Sequence, residues 1–388
     1  GHLALFSMYY GFDALLDNDG AFQPHAIQDP ASELAVLQYT GGTTGAPKGA
    51  VLTHGNLSCA CQQMLAAFRD DLEYGKERVL AVLPPFHIYS MVVNMLFGLR
   101  LGAELFVHAR FDAEAVLHDI HEHRISVVPA VPTMFIAMIH YPQVHTLDLT
   151  SLKMCNSGGA PLPLEVQQQF HRLTGCRLGE GWGMTETSSA GTYTPMQGQR
   201  PPQGSCGLVV PGARMKIAPL DGEGTLTRGE RGEICIAGPN VTEQYWNNPE
   251  ATAAALTEDG FFRTGDVGYL DADGYAFIVD RTKDMILCSG FNVYPRTIEE
   301  AIYEYPGVEE VSVIGIQDRY RGQSPMAFIK LRDGADAPSL DELKAFLADR
   351  LGKHEMVQAM EIREQLPKTP VGKLSKKELY DEMASFSL

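Results

Sequence analysis

The chain has 388 residues, 45% hydrophobic and 20% charged, with a formal net charge of −17. That length exceeds the roughly 250–300 residues at which a single core stops growing, so two or more domains are expected. The acidic balance argues against a nucleic-acid groove or an anionic membrane surface as partner, while leaving room for a polyphosphate at a locally basic site.

In chain order, residues 34–39 form a short apolar run that leads into a Gly/Thr-rich loop. A helical pattern follows over 55–68, then strand-like runs at 78–83, 103–107, 126–130 and 152–156. Helical patterns fall near 112–122, with Asp112 as N-cap, and near 164–173. Repeated strand–helix units at this spacing favour an α/β fold with a mostly parallel sheet flanked by helices, whose ligands bind beyond the carboxyl ends of the strands. After about Gly204 short strands and Asp-Gly turns dominate, so 204–281 reads as a β-rich subdomain. Strands at 310–316 and 326–331 and a helix near 340–351 then make a small α+β segment. The expected division is a large domain over 1–281 and a C-terminal domain over 282–388. No run of eighteen apolar residues and no signal-peptide pattern occurs. Seven cysteines without regular spacing do not read as a disulfide framework, and a cytoplasmic location is expected.

The loop Thr40-Gly-Gly-Thr-Thr-Gly-Ala-Pro-Lys-Gly49 departs from a Walker A motif, because Ala46-Pro47 separates Gly45 from Lys48. Gly41, Gly42 and Gly45 free backbone N–H groups for an anion, Thr40, Thr43 and Thr44 add hydroxyls, and Lys48 adds charge. A second chemistry-bearing lysine, Lys373, lies far away in Pro-Lys-Thr-Pro-Val-Gly-Lys near the C-terminus. The pairing suggests a nucleotide site assembled from two distant parts of the chain. His118, His121 and His123 look like metal ligands at first sight, but no matching carboxylate or cysteine set accompanies them, so a solvated helix face is the reading.

The segment Tyr39–His54 resembles the phosphate-loop signature of the acyl-adenylate-forming enzymes, which include acyl-CoA synthetases, peptide-synthetase adenylation domains and luciferases. Further segments match that family in order: Pro85-Phe-His-Ile-Tyr89, Asn156-Ser-Gly-Gly-Ala-Pro-Leu162, Gly181-Trp-Gly-Met-Thr-Glu186, Arg263-Thr-Gly-Asp266, Asp280-Arg-Thr-Lys-Asp284, Ser289-Gly-Phe-Asn-Val-Tyr-Pro295 and the Lys373 motif. The wording of several motifs is similar to the long-chain fatty-acid–CoA ligase branch.

The resemblance implies roles residue by residue. Gly158, Gly159 and Ala160 would pack on adenine, and Trp182, within Gly181–Gly183 and Met184, would stack on it. Thr185 would contact phosphate and Glu186 would hold Mg²⁺. Asp266 would accept the ribose hydroxyls, with Arg281 near the ribose or phosphate. His87 would stand at the acyl end; a hydrogen-bonded core histidine is the alternative. Lys373 would bridge the acyl carboxylate and the α-phosphate. The small C-terminal domain would be mobile, swinging about Lys283 to present Ser289 and Gly290 to the pantetheine thiol. ATP, CoA and a carboxylic acid, medium- or long-chain by preference, would be the substrates. Aryl-CoA ligation, loading of a carrier protein and a nucleotide-binding fragment without turnover stay open, as do a homodimer and peripheral membrane association. Family members carry a long segment before the phosphate loop where this chain has thirty-nine residues, so a chain shortened at its N-terminal side is expected.

Overall fold

The computed structural model describes residues 21, 26–40, 47–160, 162–369 and 374–384. β1 (Leu34–Thr40) and β2 (Lys48–Thr53) pair antiparallel, with Thr40 opposite Lys48. The Gly/Thr-rich segment therefore lies between two strands rather than leading directly into a helix. The reason is local: Ala50-Val-Leu forms a buried strand, and only then does Thr53 cap the helix His54–Ala67. Its side chain accepts from the Asn56 N–H at 3.1 Å, while the Asn56 side chain accepts from the Thr53 N–H at 2.9 Å.

The central sheet is parallel, in the order β4 (Glu104–Val107), β3 (Arg78–Ala81), β5 (Val127–Ala130), β6 (Met154–Ser157), β7 (Leu178–Glu180). Strand alternation sends successive residues to opposite faces. Val79, Val127 and Met154 enter one core with the helix His54–Ala67. Leu80, Val128, Cys155 and Leu178 enter another, with Val116, Leu117, Phe135 and Phe170 from the helices Ala113–His123, Pro132–Ile139 and Leu164–Thr174. Each fully buried aliphatic or aromatic side chain contributes on the order of 1.5–3 kcal/mol, so covering both faces makes this sheet a firm platform. Asp112 caps its helix as expected, accepting from the Ala115 N–H at 2.9 Å. A helical stretch over 90–100, absent from the sequence reading, is tied to the sheet by polar side chains: Ser90 donates to the Leu83 carbonyl at 2.7 Å and Asn94 to that of Leu80 at 2.6 Å.

Beyond β8 (Thr192–Tyr193) and β9 (Leu208–Val209) comes a four-stranded antiparallel sheet, β10 (Arg214–Ala218), β11 (Gly232–Ala237), β12 (Phe262–Leu270) and β13 (Ala276–Arg281). The last sheet runs β15 (Phe291–Val293), β14 (Ile286–Cys288), β17 (Gly322–Leu331), β16 (Val308–Asp318), with β18 (Ala359–Ile362) parallel to β17. Helices Pro295–Tyr303 and Leu340–Leu347 close one core of this region, and Leu379 of the helix Lys377–Met383 closes a second.

Candidate active site

Four stretches remote in sequence meet around Asp266. The β12–β13 register sets Arg281 directly opposite Asp266, and the Arg281 Nε lies 3.3 Å from Asp266 Oδ1. Trp182, on the segment leaving β7, donates its indole N–H to Asp266 Oδ2 at 2.7 Å. The carboxylate is buried, so each of its oxygens faces one donor in a place shielded from bulk water. Glu186 lies in the same neighbourhood, likewise buried, and accepts from the Tyr245 hydroxyl at 2.7 Å. Burial pushes the Glu186 carboxyl above its ordinary range, opposed by the Tyr245 hydrogen bond and by the Arg281 charge. Lys48 places its ammonium 5.1 Å from the centre of the Tyr245 ring. That contact follows from backbone pairing: Ala50 bridges Tyr245, and the Trp246 N–H donates to the Gly49 carbonyl at 2.7 Å.

The loop between Trp182 and β8 is held in a costly shape. Ser188 and Ser189 adopt φ of 49° and 68°, in the left-handed region that side chains other than glycine seldom take. Buried Asn240 braces it, donating to the carbonyls of Thr187 at 2.9 Å and Ala190 at 2.5 Å, while Ser188 donates to the Asn240 carbonyl at 2.9 Å. Gly183 is obligatory here, since a Cβ would fall 2.1 Å from the Ser189 carbonyl oxygen; one on Gly191 would strike the Trp182 ring at 2.4 Å. Met184 and Thr185 open the helical turn that carries Glu186.

Across the sheet's carboxyl edge, Gly158, Gly159 and Ala160 follow β6, as Gly181 follows β7. A Cβ on Gly158 would come within 3.0 Å of the Tyr89 ring, whose hydroxyl donates to the Asn156 carbonyl at 2.9 Å. His87 is half-buried, and its Nδ1 accepts from the Tyr89 N–H at 3.2 Å. The segment carrying it is joined to the hairpin by the Gln38 side chain, which donates to the Phe86 carbonyl at 3.1 Å. Thr40 and Lys48 flank the Gly/Thr-rich segment; Gly41, Gly42, Thr43, Thr44 and Gly45 lie outside the described residues.

Lys373 also lies outside the described residues. On either side of it, Lys368 and Leu374 bridge antiparallel, and the Ser375 N–H donates to the Pro367 carbonyl at 2.8 Å. Lys376, three residues on, pairs with Glu299 at 2.8 Å. It also holds down the Asp280 carboxyl, which burial nevertheless pushes up to about 6. Asp280 accepts from the N–H groups of Arg281 at 2.7 Å and Arg296 at 2.8 Å, which fixes the chain on both sides of Lys283. Ser289 and Gly290, with φ of 52° and 81°, make the two-residue turn between β14 and β15 and are exposed.

Sequence reasoning missed Tyr245, Asn240 and Gly191. None stands in a spacing that marks it, and each acts through contacts closed only by the fold. Among the histidines, His121 Nδ1 accepts from the Asp148 N–H at 2.9 Å and His123 stacks on Phe106 with centroids 4.9 Å apart. No group of three or more potential metal ligands occurs among the described residues. No helix among them is long and apolar enough to cross a membrane.

Comparison with known proteins adds to this geometry. Residues 9–246 match the AMP-binding enzyme family and residues 297–373 the AMP-binding enzyme C-terminal domain. A long-chain-fatty-acid–CoA ligase of Bacillus subtilis is 42% identical over 354 residues, covering 91% of this chain. The 4-coumarate–CoA ligase 5 of Oryza sativa subsp. japonica is 35% identical over 379 residues, covering 96% of this chain and 70% of the rice protein. The chain spans 62% of the length of the Bacillus relative. Among solved structures, ATP-bound MatB from Rhodopseudomonas palustris superposes with a TM-score of 0.88 at 31% identity, covering 95% of this chain and 72% of that one.

Proposed function

Since the chain belongs to the AMP-binding enzyme family, we propose that it activates a carboxylic acid with ATP to an acyl-adenylate and then transfers the acyl group to the thiol of CoA, releasing pyrophosphate and AMP. The observation that carries the reading is the Asp266 carboxylate, held by Trp182 and Arg281 at the mouth of the parallel sheet. A buried carboxylate there is the acceptor that a ribose diol needs, beside an aromatic surface for the base and an arginine for the phosphates.

On this reading the carboxylate substrate needs no general base, because it is already a nucleophile at neutral pH. The work is electrostatic: two anions are brought together, and charge is stabilised on the α-phosphorus and on departing pyrophosphate. Thr40, Gly41, Gly42, Thr43, Thr44, Gly45 and Lys48 hold the terminal phosphates, Thr185 contacts phosphate, and Gly158, Gly159 and Ala160 admit the adenine. Glu186 fits Mg²⁺: it offers hard oxygens in a buried place, where the Tyr245 hydroxyl donates to one of them, and Mg²⁺ typically takes one or two carboxylates plus substrate phosphates. Bound there, the ion would neutralise phosphate charge. Lys373 bridges the acyl carboxylate and the α-phosphate, and His87 borders the acyl group.

The reading divides the chain into a body over 1–281 and a mobile one over 282–388, turning at Lys283. In one orientation Lys373 serves adenylation; in the other Ser289 and Gly290 line the path of the thiol. A fatty acid is the favoured substrate class, on the higher identity to the Bacillus ligase than to the rice one.

The test is pyrophosphate release from ATP and Mg²⁺ with a panel of fatty and aromatic acids, with and without CoA. Release with fatty acids, and AMP formation dependent on CoA, is expected. Release confined to aromatic acids would move the substrate to the aryl class; ATP binding without release from any acid would refute the activity for this chain.

A further inference from the structure

The proposed chemistry sends Lys48 and Glu186 to the phosphates but gives no role to the side chain that touches both. Tyr245 is buried and donates its hydroxyl to Glu186 Oε1 at 2.7 Å, while the Lys48 ammonium lies over its ring, 5.1 Å from the centre. One residue thus meets a group of each charge, the carboxylate at the rim of the ring and the ammonium on its face.

The backbone around Tyr245 makes the same join. Residues 242–246 lie between β2 and the helical turn Thr185–Thr187. Toward the turn, the Thr242 N–H donates to the Glu186 carbonyl at 2.7 Å. Toward β2, the buried Thr242 hydroxyl donates to the Val51 carbonyl at 2.6 Å, and the Val51 N–H donates to the Gln244 carbonyl at 3.1 Å. The Tyr245 N–H itself donates to the Thr252 hydroxyl at 3.0 Å, and its ring meets Phe262 with centroids 6.3 Å apart. A ring tied through its backbone on both sides and packed at its edge has little freedom, so its hydroxyl marks a fixed point for Glu186.

On the reading that Glu186 holds Mg²⁺, on which this step rests, we propose that Tyr245 is a positioning residue that sets the Glu186 carboxylate for the metal ion carried by the ATP phosphates and ties it to Lys48 through residues 242–246. A carboxylate without such a partner must be ordered by the arriving ion, whereas one already held at an oxygen gives up less freedom on binding. Tyrosine suits the place because it offers a donor at its tip and a π face at its side; phenylalanine would supply the face alone.

The experiment is calorimetric titration of the whole chain with ATP, in Mg²⁺ and again in EDTA, on the wild type, Tyr245→Phe, Glu186→Gln and the double variant. Tyr245→Phe keeps the ring, and with it the Phe262 contact and the platform for Lys48. It should cut the gain in ATP affinity given by Mg²⁺ about tenfold, the scale of removing a partner of a metal ligand, and leave affinity in EDTA within about twofold. Added to Glu186→Gln it should change neither affinity, an outcome that a merely structural tyrosine would not give. Equal weakening with and without Mg²⁺, a further loss on top of Glu186→Gln, or an undiminished Mg²⁺ gain in Tyr245→Phe would each overturn the positioning role. A wild type that gains nothing from Mg²⁺ would strike the metal role of Glu186 and the positioning role with it. Because ATP binding is read without turnover, a chain that ligates no acid leaves every one of these outcomes readable.

Discussion

The surroundings of Asp266 and those of Gly290 carry equally definite sequence motifs, yet the fold treats them in opposite ways. Asp266, Glu186 and the brace Asn240 are buried, hydrogen-bonded and drawn from three separate stretches. Ser289 and Gly290 sit on an exposed two-residue turn, with the neighbouring Phe291 ring stacked on His354 at the surface. Buried polar groups cost several kcal/mol when left unmatched, so the first region is fixed before any ligand arrives. An exposed turn has few neighbours to satisfy and can be carried to different places. On the proposed turning at Lys283, the buried site would stay in place and the exposed turn would move.

The sharpest way to break this contrast lies at Lys373. Lys373→Ala should lower acid-dependent pyrophosphate release by about 10³-fold, the scale of removing one key electrostatic donor. Thioester formation from supplied acyl-adenylate should stay within a few fold. Equal loss of both half-reactions would sink the assignment. Asp266→Asn keeps the shape but removes the charge that Trp182 and Arg281 address. Hydrogen bonds to a charged group contribute about 1.5–3 kcal/mol, so ATP affinity should fall about 10- to 100-fold. Calorimetric titration reads this directly, and unchanged affinity would dismiss the ribose role.

A third prediction concerns the join between the two regions. Arg296 of the helix Pro295–Tyr303 reaches Glu180 at the end of β7, 3.9 Å away. Burial pushes the Glu180 carboxyl up to about 7 from its ordinary 4.5, with Arg296 partly opposing. A folded value above the unfolded one means the stabilising contribution is complete below about 4.5 and is lost as pH rises through 7. Relative to Glu180→Gln, the wild type should therefore lose about 2–3 kcal/mol of unfolding free energy between pH 5 and 8.5. Parallel denaturation curves at both pH values would show that Glu180 is not so shifted. The smallest effect belongs to the exposed turn: Gly290→Val forces a branched side chain into φ of 81°. Thioester formation should slow about tenfold, equivalent to about 1.4 kcal/mol, with adenylation within twofold. Stopped-flow measurement of each half-reaction separates them, and a slower adenylation step would erase the contrast.

Much of the site was legible because its chemistry is written in short contiguous runs. Trp182 and Glu186 share one motif, Asp266 closes another, and Asp112 announced its helix by residue type and position alone. Tyr245 was not legible: it reaches Glu186 only because β2 pairs with the 244–246 stretch, a contact between residues nearly two hundred positions apart. Nor was the hairpin around the Gly/Thr-rich segment, since four buried residues before a helix suit either a strand or the helix's own first turn.

The sequence by itself determined the classes of element, the glycines that admit close backbone approach and the identities of the charged groups, because local sterics and side-chain chemistry act within a few residues. Only the tertiary structure decided which charges meet. The Asp266–Trp182–Arg281 cluster and the strained loop held by Asn240 both depend on strand register and on burial that raises the cost of any unmatched polar group.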